Sequence, residues 1–151
     1  MASSALKDQL VSDMKSTMKS GDKSRLAVIR LILSAIKQVE VDERIELDDA
    51  RVIAVIDKMA KQRRESITQF EKAQRTDLIE IEQSELKILQ EYLPEALSDE
   101  EIDELIEQAI ESTGATEIKQ MGQVMGKLKP QLQGRADMGK VSQLIKSRLG
   151  S

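Results

Sequence analysis

Carboxylates are the side chains this sequence offers most freely for chemistry. Between Asp77 and Glu111 they recur at i,i+3 and i,i+4 spacing, and two such groups can divide acid and base work between them. Acid work near neutral pH needs a raised pKa, hence an apolar pocket around one carboxyl. These acids fall on polar helix faces, so a solvated acidic surface is the expected reading. Serines are common, but the chain has no histidine and no cysteine. That removes imidazole bases, thiol nucleophiles, disulfides and structural zinc sites together. No signature marks a Ser–Lys pair, and no phosphate-loop or dinucleotide glycine pattern occurs. The sequence predicts no catalytic residue, no cofactor and no metal.

The cationic pieces point toward binding. Lys61-Gln62-Arg63-Arg64-Glu65-Ser66 sits in a helical pattern where Arg63 shares the stripe of Ile56, Met59, Ile67 and Phe70, while Lys61 and Arg64 point outward. A guanidinium on an apolar stripe needs a partner; Glu82 or Glu85 is expected to supply it, which makes Arg63 structural. Lys61 and Arg64 read first as ordinary surface charges and second as RNA contacts. A later stretch, Ile118 to Lys129, carries Met121, Val124, Met125 and Leu128 inward with Gly122 and Gly126 stacked beside them. Each helix-interior glycine costs about 1 kcal/mol against alanine. Close approach of a neighbouring helix is the simpler reason for the pair; close approach of a ligand backbone, flanked by Lys119 and Lys129, is the other. Gly134-Arg135-Ala136-Asp137 then opens the last helix. Its free N–H groups and Arg135 suit an anion, but Asp137 is expected to cap those same groups, which favours a structural turn.

These residues must be held by helices. Phe70 and Tyr92 are the only aromatics, and Leu, Lys, Glu, Gln and Ala dominate where strands would favour β-branched and aromatic residues. Ser3 or Ser4 caps a first helix with the stripe Leu6, Leu10, Met14 and Met18, ended by Gly21. Asp22 caps a second with a wide apolar face, Arg30, Ser34 and Lys37 opposite, and a break around Val41 to Leu47. Asp48 starts a long third, and Thr76 caps a fourth with Leu78, Ile81, Leu86 and Leu89 inward. Pro94 ends it. Ser98 and Glu101 form a capping box for a fifth, which runs to Gly114. A sixth covers roughly 117–131, and Asp137 caps a seventh. The expected fold is all-α: a four-helix domain over 1–93, then a three-helix domain over 94–151.

Net charge is −4, unevenly spread. Residues 76–114 carry one Lys/Arg against thirteen Asp/Glu, and residues 115–151 carry seven against two. The second segment is where a polyanion would be sought. The N-terminus becomes charged too early for a signal peptide, and no apolar run approaches the roughly 20 residues of a membrane span. A cytoplasmic protein with no membrane partner is the expectation.

Five segments in order resemble the YqeY family, stand-alone relatives of the tail domain of the tRNA-dependent amidotransferase B subunit. They are Lys61 to Ser66, Glu91-Tyr92-Leu93-Pro94, Thr113-Gly114-Ala115, Lys119-x-Met121-Gly122-x-Val124-Met125-Gly126, and Gly134 to Asp137. The resemblance implies a helical domain followed by a three-helix domain. It also implies contact with tRNA, with Lys119, Gly122, Gly126, Lys129 and Arg135 as the contact surface; together with the absence of usable catalytic residue types, a non-catalytic, tRNA-associated accessory role is expected. A synthetase or amidotransferase component is the alternative partner, favoured by the acidic stretch. A glutamine-dependent carbon–nitrogen ligase label belongs to the multi-domain relative and is not carried over.

Overall fold

A computed structural model describes residues 4–150, and within them the chain is helical with no strand. The helices are α1 (Ala5–Ser20), α2 (Lys23–Glu43), α3 (Asp49–Lys72), α4 (Thr76–Glu91), α5 (Asp99–Thr113), α6 (Met121–Leu132) and α7 (Met138–Leu149). A single 3-10 turn, Ile118–Gln120, leads into α6. Two compact units meet in sequence between Leu93 and Pro94.

Local chemistry sets most helix ends. The side chains of Ser4, Asp22, Asp48, Ser98 and Asp137 each accept a backbone N–H of the turn they open, satisfying donors that the helix leaves free. At Ser98 the capping box is complete, with the Glu101 carboxylate returning to the Ser98 N–H. Gly21 and Gly114 close α1 and α5 at φ of 80° and 68°, a left-handed conformation in which a β-carbon would be strained. Ser3, the other cap candidate, lies outside the described residues.

In the first unit, Leu10, Ile29, Ile32, Ile36, Val52, Ile56 and Leu89 form a fully buried core. Polar ties between distant helices close it. Ser4 Oγ donates to Asp49 at 2.5 Å, and Lys7 Nζ reaches Glu40 at 2.8 Å. Glu40 also accepts the N–H of Leu47 at 3.0 Å. The Tyr92 hydroxyl donates to Asp13 at 2.6 Å. In the second unit, Ile106, Val124, Leu128, Leu132 and Ile145 are fully buried where α5, α6 and α7 pack together.

Three local expectations change. Met18 and Ile81 are 53% and 55% exposed rather than inward, and buried Thr17 takes the place on α1 that the stripe gave to Met18. The second helix ends at Glu43, within the expected break, and Arg44 closes it at φ 55°. Thr76 is the first helical residue, not the cap; Arg75 holds that place without a capping side chain and pairs with Asp77 at 3.0 Å. The sixth helix begins at Met121 because Gln120 Oε1 ties back the N–H groups of Thr116 and Glu117 at 2.7 and 3.0 Å.

Candidate nucleic-acid interface

The outer side of α6 is built from residues that recur at helical spacing. Gly122 and Gly126 are one turn apart, about 6 Å along the axis. Lys129 continues their line, and Lys119 precedes it on the 3-10 turn. Val124, Leu128 and Leu132 take the opposite side into the core. Both glycines are exposed, and a β-carbon on either would meet no neighbouring group within 4 Å. Packing therefore does not require them: within this unit no helix approaches that surface. Two absent side chains leave a shallow strip of bare backbone. Pro130 lies in the last turn of α6 and has no N–H to give the carbonyl of Gly126, so this acceptor lacks its usual helical donor.

The cations around the strip differ in their commitments. Lys119 is 80% exposed and pairs with Glu117 at 3.0 Å. Lys129 is exposed and forms no ion pair among the described residues. Lys127 donates to Ser112 Oγ across a groove of about 220 Å³ between α5 and α6; both side chains are exposed, so no apolar pocket encloses the amine as nucleophilic work would need. Arg135 is half-buried and works as a clamp. Its Nε–H donates to the Glu95 carbonyl at 3.1 Å, and its own carbonyl accepts from Leu97 N–H at 2.9 Å. Asp137 accepts the Gly139 N–H at 3.0 Å, so the start of α7 already carries its own anion.

Charge is more balanced than the last segment alone suggests. Lys140 approaches Asp99 at 3.6 Å, and Arg148 lies 3.1 Å from Asp103 and 4.0 Å from Glu107. From Pro94 onward the unit holds seven Lys/Arg against ten Asp/Glu. The acids of α5 pair with Lys140 and Arg148 of α7, while Lys129 on α6 and exposed Lys146 on α7 form no ion pair among the described residues.

Lys61 and Arg64 lie exposed on α3, in the first unit. Arg63 is only 21% exposed, with Nε 2.8 Å from Glu85 and 3.5 Å from Glu82. Neither contact has hydrogen-bonding angles, so the attraction there is charge on charge. Pro94 follows the last residue of the first unit.

The carboxyls whose protonation is perturbed are held as anions, the reverse of what a general acid needs. The Ser4 hydroxyl lowers Asp49, the Lys7 ammonium lowers Glu40, and the Arg75 guanidinium lowers Asp77. Burial, then the hydrogen bond to Asp13, pushes the Tyr92 hydroxyl up to about 12. Among the described residues no acid cluster could hold a metal ion, and no helix is long and apolar enough to cross a membrane.

The Yqey-like protein family model matches residues 7–149. The chain belongs to the YqeY family. Among its relatives is the altered inheritance of mitochondria protein 41 of Pyrenophora tritici-repentis, 35% identical over 147 residues, covering 95% of this chain and 80% of the relative. The protein of the same name in Kluyveromyces lactis is 39% identical, covering 79% of this chain and 66% of the relative. That of Lachancea thermotolerans is 36% identical, covering 74% and 58%. All three are named as mitochondrial, which overturns the cytoplasmic expectation. The expectation leaned on the lack of cysteine, which fits any reducing compartment and does not single out the cytoplasm.

Sequence reading missed Pro130 beside Gly126, the Asp13–Tyr92 bond and the Lys7–Glu40 tie. The first was legible, since a proline four residues after a helical glycine strips its carbonyl. The other two join helices distant in sequence and leave no local signal.

Proposed function

We propose that this YqeY-family chain is a non-catalytic accessory protein that binds structured RNA, with tRNA the class favoured by the family resemblance. In this reading residues 1–93 form a four-helix domain and residues 94–151 a three-helix RNA-binding domain. The relatives' names favour a mitochondrial setting. One observation carries the proposal: two solvent-open glycines in mid-helix, costing stability that no internal contact recovers, between Lys119 and Lys129. Bare backbone of this kind lets a sugar-phosphate chain approach closely, and the Gly126 carbonyl offers a 2′-hydroxyl an acceptor. RNA helices are read through such backbone and 2′-hydroxyl contacts, and the lack of aromatic platforms argues against single-strand recognition.

The test pits stability against binding. Gly126→Gln is expected to raise thermal stability, because glutamine is the better helix former, and to abolish tRNA binding by occupying the strip. Lys129→Gln is expected to weaken binding and to reduce the salt dependence by about one phosphate contact. No binding of tRNA by the full chain at low salt, or undiminished binding by Gly126→Gln, would overturn the RNA reading. Amide transfer from glutamine by the purified chain would overturn the non-catalytic one.

A further inference from the structure

The outer side of α2 carries a pattern that RNA binding by α6 leaves unused. Ala27, Leu31, Ser34, Gln38 and Val41 follow one another at alternating spacings of four and three, so they form one line along the helix. All are exposed, Leu31 at 48% and Val41 at 63%. Lys23, Arg30, Lys37 and Arg44 repeat every seven residues along one flank of that line, about 10 Å apart. These four are also exposed, and none forms an ion pair among the described residues. In a coiled coil this flank is where charges meet a partner helix.

The opposite flank faces α4. Arg25 reaches Glu91 at 2.7 Å and lies 5.9 Å over the Tyr92 ring, which fixes the side of α2 on which α4 runs. At about 100° per residue, Arg30 falls on the other side of Leu31 from Arg25. Between α2 and α4 opens a groove of about 440 Å³ with Ala27, Ile81 and Ile88 as apolar lining and Asp77 and Glu80 among its acids. Ile81, 55% exposed, is the large apolar side chain of this lining that stays mostly in solvent. Asp77 is held by Arg75 and Glu85 by Arg63, whereas Glu80 forms no ion pair among the described residues. The α4 side of the groove is therefore weakly anionic and its apolar lining is Ala27, Ile81 and Ile88, while Leu31 and the unpaired cations of α2 lie beside it on the outer side of that helix.

We propose that this groove docks an amphipathic helix of a partner protein, with its apolar stripe on Ala27, Leu31 and Ile81. Acidic residues of that helix face Lys23, Arg30 and Lys37, and basic ones face Glu80 and Asp77. The unlike walls set the direction in which the helix lies, since reversing it would place like charges together. A nucleic acid would meet the acidic wall and gain nothing from the apolar floor. This inference concerns only the first unit, so a failure of tRNA binding leaves it standing.

The experiment titrates isotope-labelled full-length protein with three synthetic 18-residue helical peptides that share one leucine stripe. One has glutamates on one flank and lysines on the other, one has glutamates on both, and one lysines on both. The mixed peptide is expected to bind tightest, with amide shifts concentrated at Leu31 and Ile81. Ile81→Ser and Leu31→Ser should each weaken it about tenfold, the scale of losing one partly buried aliphatic contact; both sites are exposed, so the fold is retained. Arg30→Glu should weaken the mixed peptide and favour the all-lysine one. The proposal is overturned if the shifts map to α5, whose acids lack exposed large apolar neighbours, or if all three peptides bind alike. Unchanged affinity in both serine variants also overturns it, as does self-association in sedimentation that Ile81→Ser abolishes, which would make the occupant a second copy.

Discussion

Residues up to Leu93 are cross-tied by polar side chains from helices far apart in sequence, as in Asp13–Tyr92, Lys7–Glu40 and Ser4–Asp49. From Pro94 onward the polar contacts are caps, one clamp at Arg135, the exposed Lys127–Ser112 bond and exposed ion pairs, chiefly between α5 and α7. The first arrangement makes position depend on side chains that must stay charged and aligned. The second rests on a small apolar core, and it leaves the whole outer side of α6 without internal duties. A surface free of structural work is where residues can be chosen for a ligand, and there the two open glycines occur.

The contrast can be broken most forcefully in the second core. Leu128→Ala removes a fully buried side chain and should cost about 2–5 kcal/mol, enough to unfold a unit this small. Urea titration followed by amide spectra should then show signals from Pro94 onward lost while the first unit persists. A single concerted transition would mean that the units do not fold separately. Next in size, Tyr92→Phe deletes a tie of the first unit and strands Asp13, at about 1–3 kcal/mol by chemical denaturation.

Glycine substitutions should split by sign. Gly122→Ala or Gly126→Ala is expected to stabilise by about 1 kcal/mol, whereas Gly114→Ala, at φ 68°, should destabilise. Acid sharpens the comparison further. Glu40 and Asp49 are lowered from 4.5 and 3.8, so their contribution is complete above those values and is lost as pH falls through the lower folded-state values. Melting temperature of the first unit should therefore drop below about pH 4.5, and Lys7→Met should flatten that decline. The smallest effect belongs to Arg148→Gln, whose pairs with Asp103 and Glu107 are solvent-screened; thermal melts should move by less than about 1 kcal/mol, and less still in high salt.

Helix positions were legible because their signals are local. Asp22, Asp48, Ser98 with Glu101, Gly114 and Asp137 each act within four residues of their own place in the chain. The inward faces were less so: Met18 and Ile81 fit an apolar stripe, but which arc of a helix is covered depends on where its neighbours cross. The two glycines of α6 were visible as an anomaly, yet only coordinates could separate helix packing from an open surface. Charge was the least legible, since the basic last segment is offset by acids of α5 that precede it in the chain.

Tyr92 has an optical consequence. As the chain's one tyrosine, with no tryptophan anywhere, it is the main intrinsic fluorophore, and it sits 6% exposed at the end of the first unit. Emission and near-ultraviolet dichroism will therefore follow that unit and be almost blind to everything after Pro94. A melting curve recorded from this ring describes half a molecule, and a complete account of unfolding will need a reporter placed by design on the other half.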